Sequence, residues 1–130
     1  MAMDVPSIRE FVVRPEDTAA AYGAAFPAAA STPFVLGLAE VACHALIAPT
    51  LEGVETSLGV HALVDHLVPS PVGARLRVVP RLDRQEGRRY FFHVDVFDRD
   101  DLAASIDHVR VVTLRANVER RLASRAPAEP

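Results

Sequence analysis

A chain of 130 residues, half of them hydrophobic and 24% charged, is long enough to bury one core without disulfides or metals and too short for two domains of ordinary size. A net charge of −3 and a pI near 5.9 exclude a nucleic-acid surface spread over the whole domain, because neutralising phosphates takes clustered positive charge. Cys43 is the only cysteine, so an internal disulfide and a cysteine-built metal site are excluded; with no uninterrupted apolar run of membrane-spanning length and no leader pattern in Met1 to Arg9, a single cytoplasmic domain over 1–130 without membrane contact is expected.

Ile8 to Val13, IREFVV, predicts a first strand that Arg14 and Pro15 close. Glu16 to Ala30 is rich in alanine; Asp17 or Thr18 can cap a short helix there, and Gly23 and Pro27 can interrupt it, so the 16–30 segment reads as a lid or a connector. A long helix is predicted from Thr32, with threonine as N-cap, Pro33 at the first helical position and residues 34, 38, 41, 42 and 45 on one face, ending at Pro49. Gly37 inside it costs about 1 kcal/mol against alanine, which points to close approach of another backbone or a ligand. Cys43, at an apolar helical position, is expected as a small core residue.

Four strands joined by turns follow. In Ser57 to His66 one face carries Val60, Ala62 and Val64, and His66 continues it toward the helix. Ala74 to Leu82 sets Leu76, Val78, Pro80 and Leu82 against Arg75, Arg77 and Arg81, and Arg89 to Phe97 carries aromatics on both faces, so part of its outer face should be covered. Leu102 to Leu114 is a last strand with His108 and Arg110 of one parity, and from Val118 a charged tail is expected, flexible over 119–130. The order predicts an α+β fold, an antiparallel five-stranded sheet wrapped around one long central helix, whose open edge favours a homodimer.

Glu40 is the one acidic residue on the apolar helix, and burying it unpaired would be costly. With Thr32 at the helix head and His66 on the inward strand face it forms a nucleophile and acid/base set, and backbone N–H groups of the helix start could hold an oxyanion, which suits acyl transfer. Each has a plainer explanation: Thr32 as a cap, His44 as an i,i+4 partner of Glu40, and His66 as a core histidine. The arginines at 75, 77, 81, 84, 88 and 89 fit either carrier phosphates or a solvated strand face. No dinucleotide, P-loop, zinc-protease or serine-elbow motif occurs, and no metal or cofactor is expected.

Three stretches, TPFVLGLAEVACHALIAP from Thr32, SLGVHALVDHLVPSPVGARL from Ser57 and DHVRVV from Asp107, resemble the single-domain hot dog thioesterases of the fluoroacetyl-CoA thioesterase type. The threonine-to-glutamate spacing of eight and the glutamate-to-histidine spacing of 26 carry the specific part. The resemblance implies a hot dog fold, a homodimer and hydrolysis of a short acyl-CoA, fluoroacetyl-CoA among the candidates, without metal or cofactor. It also implies that Thr32, Glu40 and His66 are catalytic, that Gly59 lies near the thioester carbonyl, and that Arg110 supports the site. Phe26, followed by Pro27, corresponds to part of a hydrophobic lid, and Phe34 and Gly37 are expected to line the substrate. Two other readings use the same architecture: a module that binds an acyl-CoA or hydrophobic ligand without turnover, and a hydratase or dehydratase, for which Asp65 and His66 sit on opposite faces.

Overall fold

The computed structural model describes residues 8–128. Its order is β1 (Arg9–Val12), α1 (Thr32–Ile47), β2 (Glu55–His66), β3 (Arg75–Glu86), β4 (Arg89–Asp98), β5 (Asp101–Leu114) and α2 (Arg115–Arg125). One antiparallel sheet runs β1-β3-β4-β5-β2. The order is not a simple meander. The proline-rich 67–74 connection carries the chain from the β2 edge across to β3, so β2 pairs with β5, Leu63 opposite Asp107. Both edges, β1 and β2, belong to strands that precede the β3–β4–β5 run in sequence.

The inward faces follow the period of two: Leu76, Val78, Phe92, Val94, Val96, Ala104 and Ile106 are buried under α1. Gly87, at φ 61°, opens the tight turn from β3 to β4, where a side chain would be strained. At β2 the alternation breaks. A bulge between Gly59 and His61 inserts one residue, so Gly59 faces the helix, Ala62, Val64 and His66 do so after it, and Val60 turns out to solvent at 49% exposure. The face expected through Val60 is therefore correct only from Ala62 onward.

Helix α1 is capped by Ser31, whose hydroxyl accepts from Phe34 N at 3.1 Å, and not by Thr32, which is already the first helical residue with Pro33 second. The buried stripe is Val35, Leu38, Ala39, Ala42, Cys43 and Ile47, whereas Val41, expected inside, is 51% exposed. With apolar residues at nearly every position the period alone does not choose a side. Ala39, Ala42 and Cys43 choose it, because small side chains let the helix axis close on the sheet. Burial pushes the Cys43 thiol up to about 12, so it is a core residue and not a nucleophile. By length and composition the stretch Thr32–Thr50 could cross a membrane, but its buried stripe is packed against the sheet as a core helix.

The 16–30 segment forms two 3-10 turns, Pro15–Asp17 and Ala19–Tyr22, tied down by bridges from Thr18 to Ala30 and from Ala29 to Pro71. The tail expected after Val118 is instead helical through Arg125, joined to the body by the Arg115 N–H bond to Val54 O.

The outer face of β4 is covered by charge. The Arg84 guanidinium lies 3.7 Å over the Phe91 ring and Arg77 lies 4.8 Å over Phe97. Between them His93 Nδ1 donates to Asp107 at 2.8 Å and Nε2 to Asp95 at 3.0 Å, with Arg81 opposite it on β3. Carboxylates only accept, so both ring nitrogens donate, and the Asp107 bond followed by that of Asp95 holds the imidazole above its ordinary value. A folded value above the unfolded one means stability present below about pH 6.5 and lost as pH rises through the folded value. The urea midpoint of the parent should therefore lose its advantage over His93→Gln on going from pH 6 to alkaline buffer; a difference independent of pH would contradict the bridge.

Candidate active site

The partner that Glu40 requires is Arg110. Its Nη1 donates to Glu40 Oε1 at 3.2 Å and to His108 Nε2 at 3.1 Å, its Nε donates to Ser57 Oγ at 2.7 Å, and its Nη2 donates to Ser57 O at 3.0 Å. The arginine is buried and anchored on two sides; Glu40 keeps 44% of its side chain exposed. The helix carboxylate is thus paired and open to solvent, not sealed in the core.

His108 fixes the other side of the guanidinium. Its Nδ1 lies 2.8 Å from His61 O, and a carbonyl can only accept, so Nδ1 carries the proton and Nε2 accepts from Arg110. Burial, reinforced by the Arg110 charge, lowers the His108 value and keeps the ring neutral.

Gly59 makes room for this arrangement. A Cβ there would overlap Glu40 Oε1 and stand 3.0 Å from His108 Cε1 and 3.2 Å from Arg110 Nη1. A cavity of about 360 Å³ opens at the same place, lined by Arg9, Glu40, Val41, His44, Ala45 and Arg110.

Thr32 and His66 meet at the helix head, Thr32 Oγ1 to His66 Nδ1 at 2.9 Å, across 34 residues of sequence. Because Ser31 does the capping, the Thr32 hydroxyl is free for this bond. Burial lowers the His66 value, so the ring is neutral near pH 7. Glu40 does not join them: eight residues at 1.5 Å each place it about 12 Å further along the axis. The chain builds two clusters on one side of α1.

His44 pairs with Ser57 Oγ through Nδ1 at 2.7 Å, not with Glu40. Nothing lies within 4 Å of a Cβ built at Gly37, so no backbone approaches it. Phe34 packs half-buried against the core, and Phe26 is 54% exposed beside Gly23. The helix start offers little to an oxyanion, since Phe34 N and Val35 N bond to Ser31 and Pro33 has no N–H. Several of the β3 arginines have local acids, Arg75 with Glu10, Arg81 with Asp83 and Arg84 with Glu86, as a solvated face does. A second groove, of about 790 Å³, lies between the 68–75 and 98–101 segments and contains none of the Glu40 or His66 cluster.

Ser57 and Ser31 were not singled out in the sequence. A serine at a strand start or before a helix leaves no periodic signal, although Ser-Thr-Pro before an apolar run fits a serine cap as well as a threonine one. Among the described residues no group of three or more His, Cys, Asp or Glu is placed to hold a metal ion.

The family described as fluoroacetyl-CoA-specific thioesterase matches residues 13–116. The fluoroacetyl-CoA thioesterase of Streptantibioticus cattleyicolor is 35% identical over 105 residues, which are 81% of this chain and 76% of that protein. A solved structure of a fluoroacetyl-CoA thioesterase variant in complex with acetyl-CoA is similar with a TM-score of 0.89 at 32% identity, covering 92% of this chain and 95% of that one. A hot-dog-like protein from Thermanaerovibrio acidaminovorans, 24% identical with a TM-score of 0.82 over 97% of this chain and 95% of that one, shares the fold.

Proposed function

The chain belongs to the fluoroacetyl-CoA-specific thioesterase family, and from that premise we propose that it hydrolyses small acyl-CoA thioesters, adding water across the C–S bond to give the free acid and the CoA thiol. The observation that carries the proposal is Glu40 itself: a half-exposed carboxylate, held by Arg110 in a cavity beside a glycine that leaves the strand bare.

Glu40 supplies the attack on the thioester carbonyl, either with its own oxygen or through a water it deprotonates. Arg110, anchored on Ser57 and His108, sets the direction of the carboxylate. Within one chain the Thr32–His66 pair stands about 12 Å along the helix from Glu40. The neutral His66 ring can therefore pass a proton taken from solvent to the departing thiolate only where pairing of two copies brings it beside a Glu40 cavity. Gly59, Gly37 and Phe34 are read as substrate-lining positions, and the 16–30 segment with Phe26 as a cover.

A homodimer fits this reading. β2 is a twelve-residue edge strand, and Leu58, Val60 and Leu63 on it, with Val41 on α1, are 41–59% exposed. A second copy paired along that edge satisfies its open backbone groups and puts the cavity beside the shared edge. Sedimentation should give two chains per particle; one chain per particle would remove the dimer. As an enzyme of CoA thioesters the protein is assigned to the cytoplasm.

The reading is tested by thiol release across acyl-CoAs of increasing length, halogenated acetyl groups included. Short acyl groups should turn over faster than long ones, as the family match leads one to expect. Saturable binding with no thiol released from any of them would leave a binding module in its place.

A further inference from the structure

His44 shares the Glu40 cavity, yet the hydrolysis proposed above gives it no part. Its Nδ1 is 2.7 Å from Ser57 Oγ, and the same oxygen accepts from Arg110 Nε at 2.7 Å. Ser57 is 5% exposed, so its one hydroxyl proton needs a partner inside the protein. Arg110 can only donate, and the acceptor in place is His44 Nδ1. The hydrogen bonds therefore fix His44 as the neutral tautomer with its proton on Nε2. Burial, followed by the Arg110 and Arg115 charges, favours the same state.

We propose that His44 is a positioning residue for Glu40: through the Ser57 hydroxyl it locks the Arg110 guanidinium, and through Arg110 it aims the carboxylate. The proposal rests on the role given to Glu40 above. Protonation of His44 reverses the first bond. Nδ1–H then points at Ser57 Oγ, the hydroxyl proton loses its acceptor, and two cations converge on one oxygen. The charged groups around the ring are Glu40 on its own helix, Arg9 from β1, Arg110 from β5 and Arg115 from α2. Glu40 is the only anion among them and is already bonded to Arg110, so the added charge finds no counter-ion and the grip on Arg110 loosens.

The wiring is read by NMR of the intact protein, following the Arg110 Nε–H signal through a pH titration. In the parent it should move with the midpoint of the His44 ring, and in His44→Gln it should stay still, because the amide oxygen takes the Ser57 proton at every pH. In thiol release, His44→Leu should lower kcat about tenfold with KM within about twofold, and His44→Gln should restore most of the loss. His44→Leu should add nothing in a Ser57→Ala background. An Arg110 signal indifferent to the His44 titration, or additive losses in the double variant, overturns the proposal. The titration needs no turnover: a parent that releases no thiol defeats the proposed function and leaves the wiring to stand or fall on the NMR alone.

Discussion

Replacing Glu40 by glutamine is expected to lower kcat/KM for a small acyl-CoA about 10³-fold while leaving the fold intact. The side chain keeps its shape, and its remaining carbonyl oxygen still accepts from Arg110 Nη1, the bond that stands at 3.2 Å in the parent. What disappears is the negative oxygen, hence both possible modes of attack, by the carboxylate itself or by a water it deprotonates. Thiol release by the variant, with its thermal midpoint as control, checks this. Turnover within a few-fold of the parent would move the chemistry away from Glu40.

Gly59→Ala is expected to cost about 10²-fold in kcat for a different reason. The new Cβ cannot share space with Glu40 Oε1, and its other neighbours, His108 Cε1 at 3.0 Å and Arg110 Nη1 at 3.2 Å, are held by hydrogen bonds. The carboxylate is the group that can yield, because it ends a flexible side chain with 44% of its surface in solvent. It should swing off Arg110 and leave that buried guanidinium without its anion, so the loss of activity comes with a lower melting midpoint. An alanine variant with parental kcat would show that the close approach of Glu40 to β2 has no catalytic weight.

The sequence made the helix and the strands legible because period and punctuation agree there. Proline and glycine close β1, end α1 and open the β3–β4 turn, and the alternation of β3 holds through Pro80, whereas Leu82, expected on the same face, is 38% exposed at a register shift. It was ambiguous where one residue shifts the count. The bulge after Gly59 inverts the face of β2, so alternation alone puts Val60 inward and Gly59 outward, the reverse of the fold, and only the family resemblance sets Gly59 near the substrate. On α1 nearly every position is apolar, so small residues, invisible to a hydrophobic period, decide which side is buried. The strand order β1-β3-β4-β5-β2 depends on where a proline-rich connection crosses, a tertiary matter.

For the site, residue type and parity singled out Glu40 and His66 and put His108 and Arg110 on one strand face, and Thr32 and His66 do meet. The hydrogen bonds that orient them pass through Ser57, which joins Arg110 across 53 residues of chain and leaves no local pattern. The same hydroxyl draws His44 away from Glu40, overriding the i,i+4 pairing that helix spacing suggests.

Incubating acetyl-CoA and fluoroacetyl-CoA with the intact protein and counting both products asks whether the cavity at Glu40 hydrolyses a small acyl-CoA: acid and CoA thiol should appear in equal amounts over many turnovers, and substrate returned unchanged, or altered in its acyl chain with the thioester intact, would show that it does not.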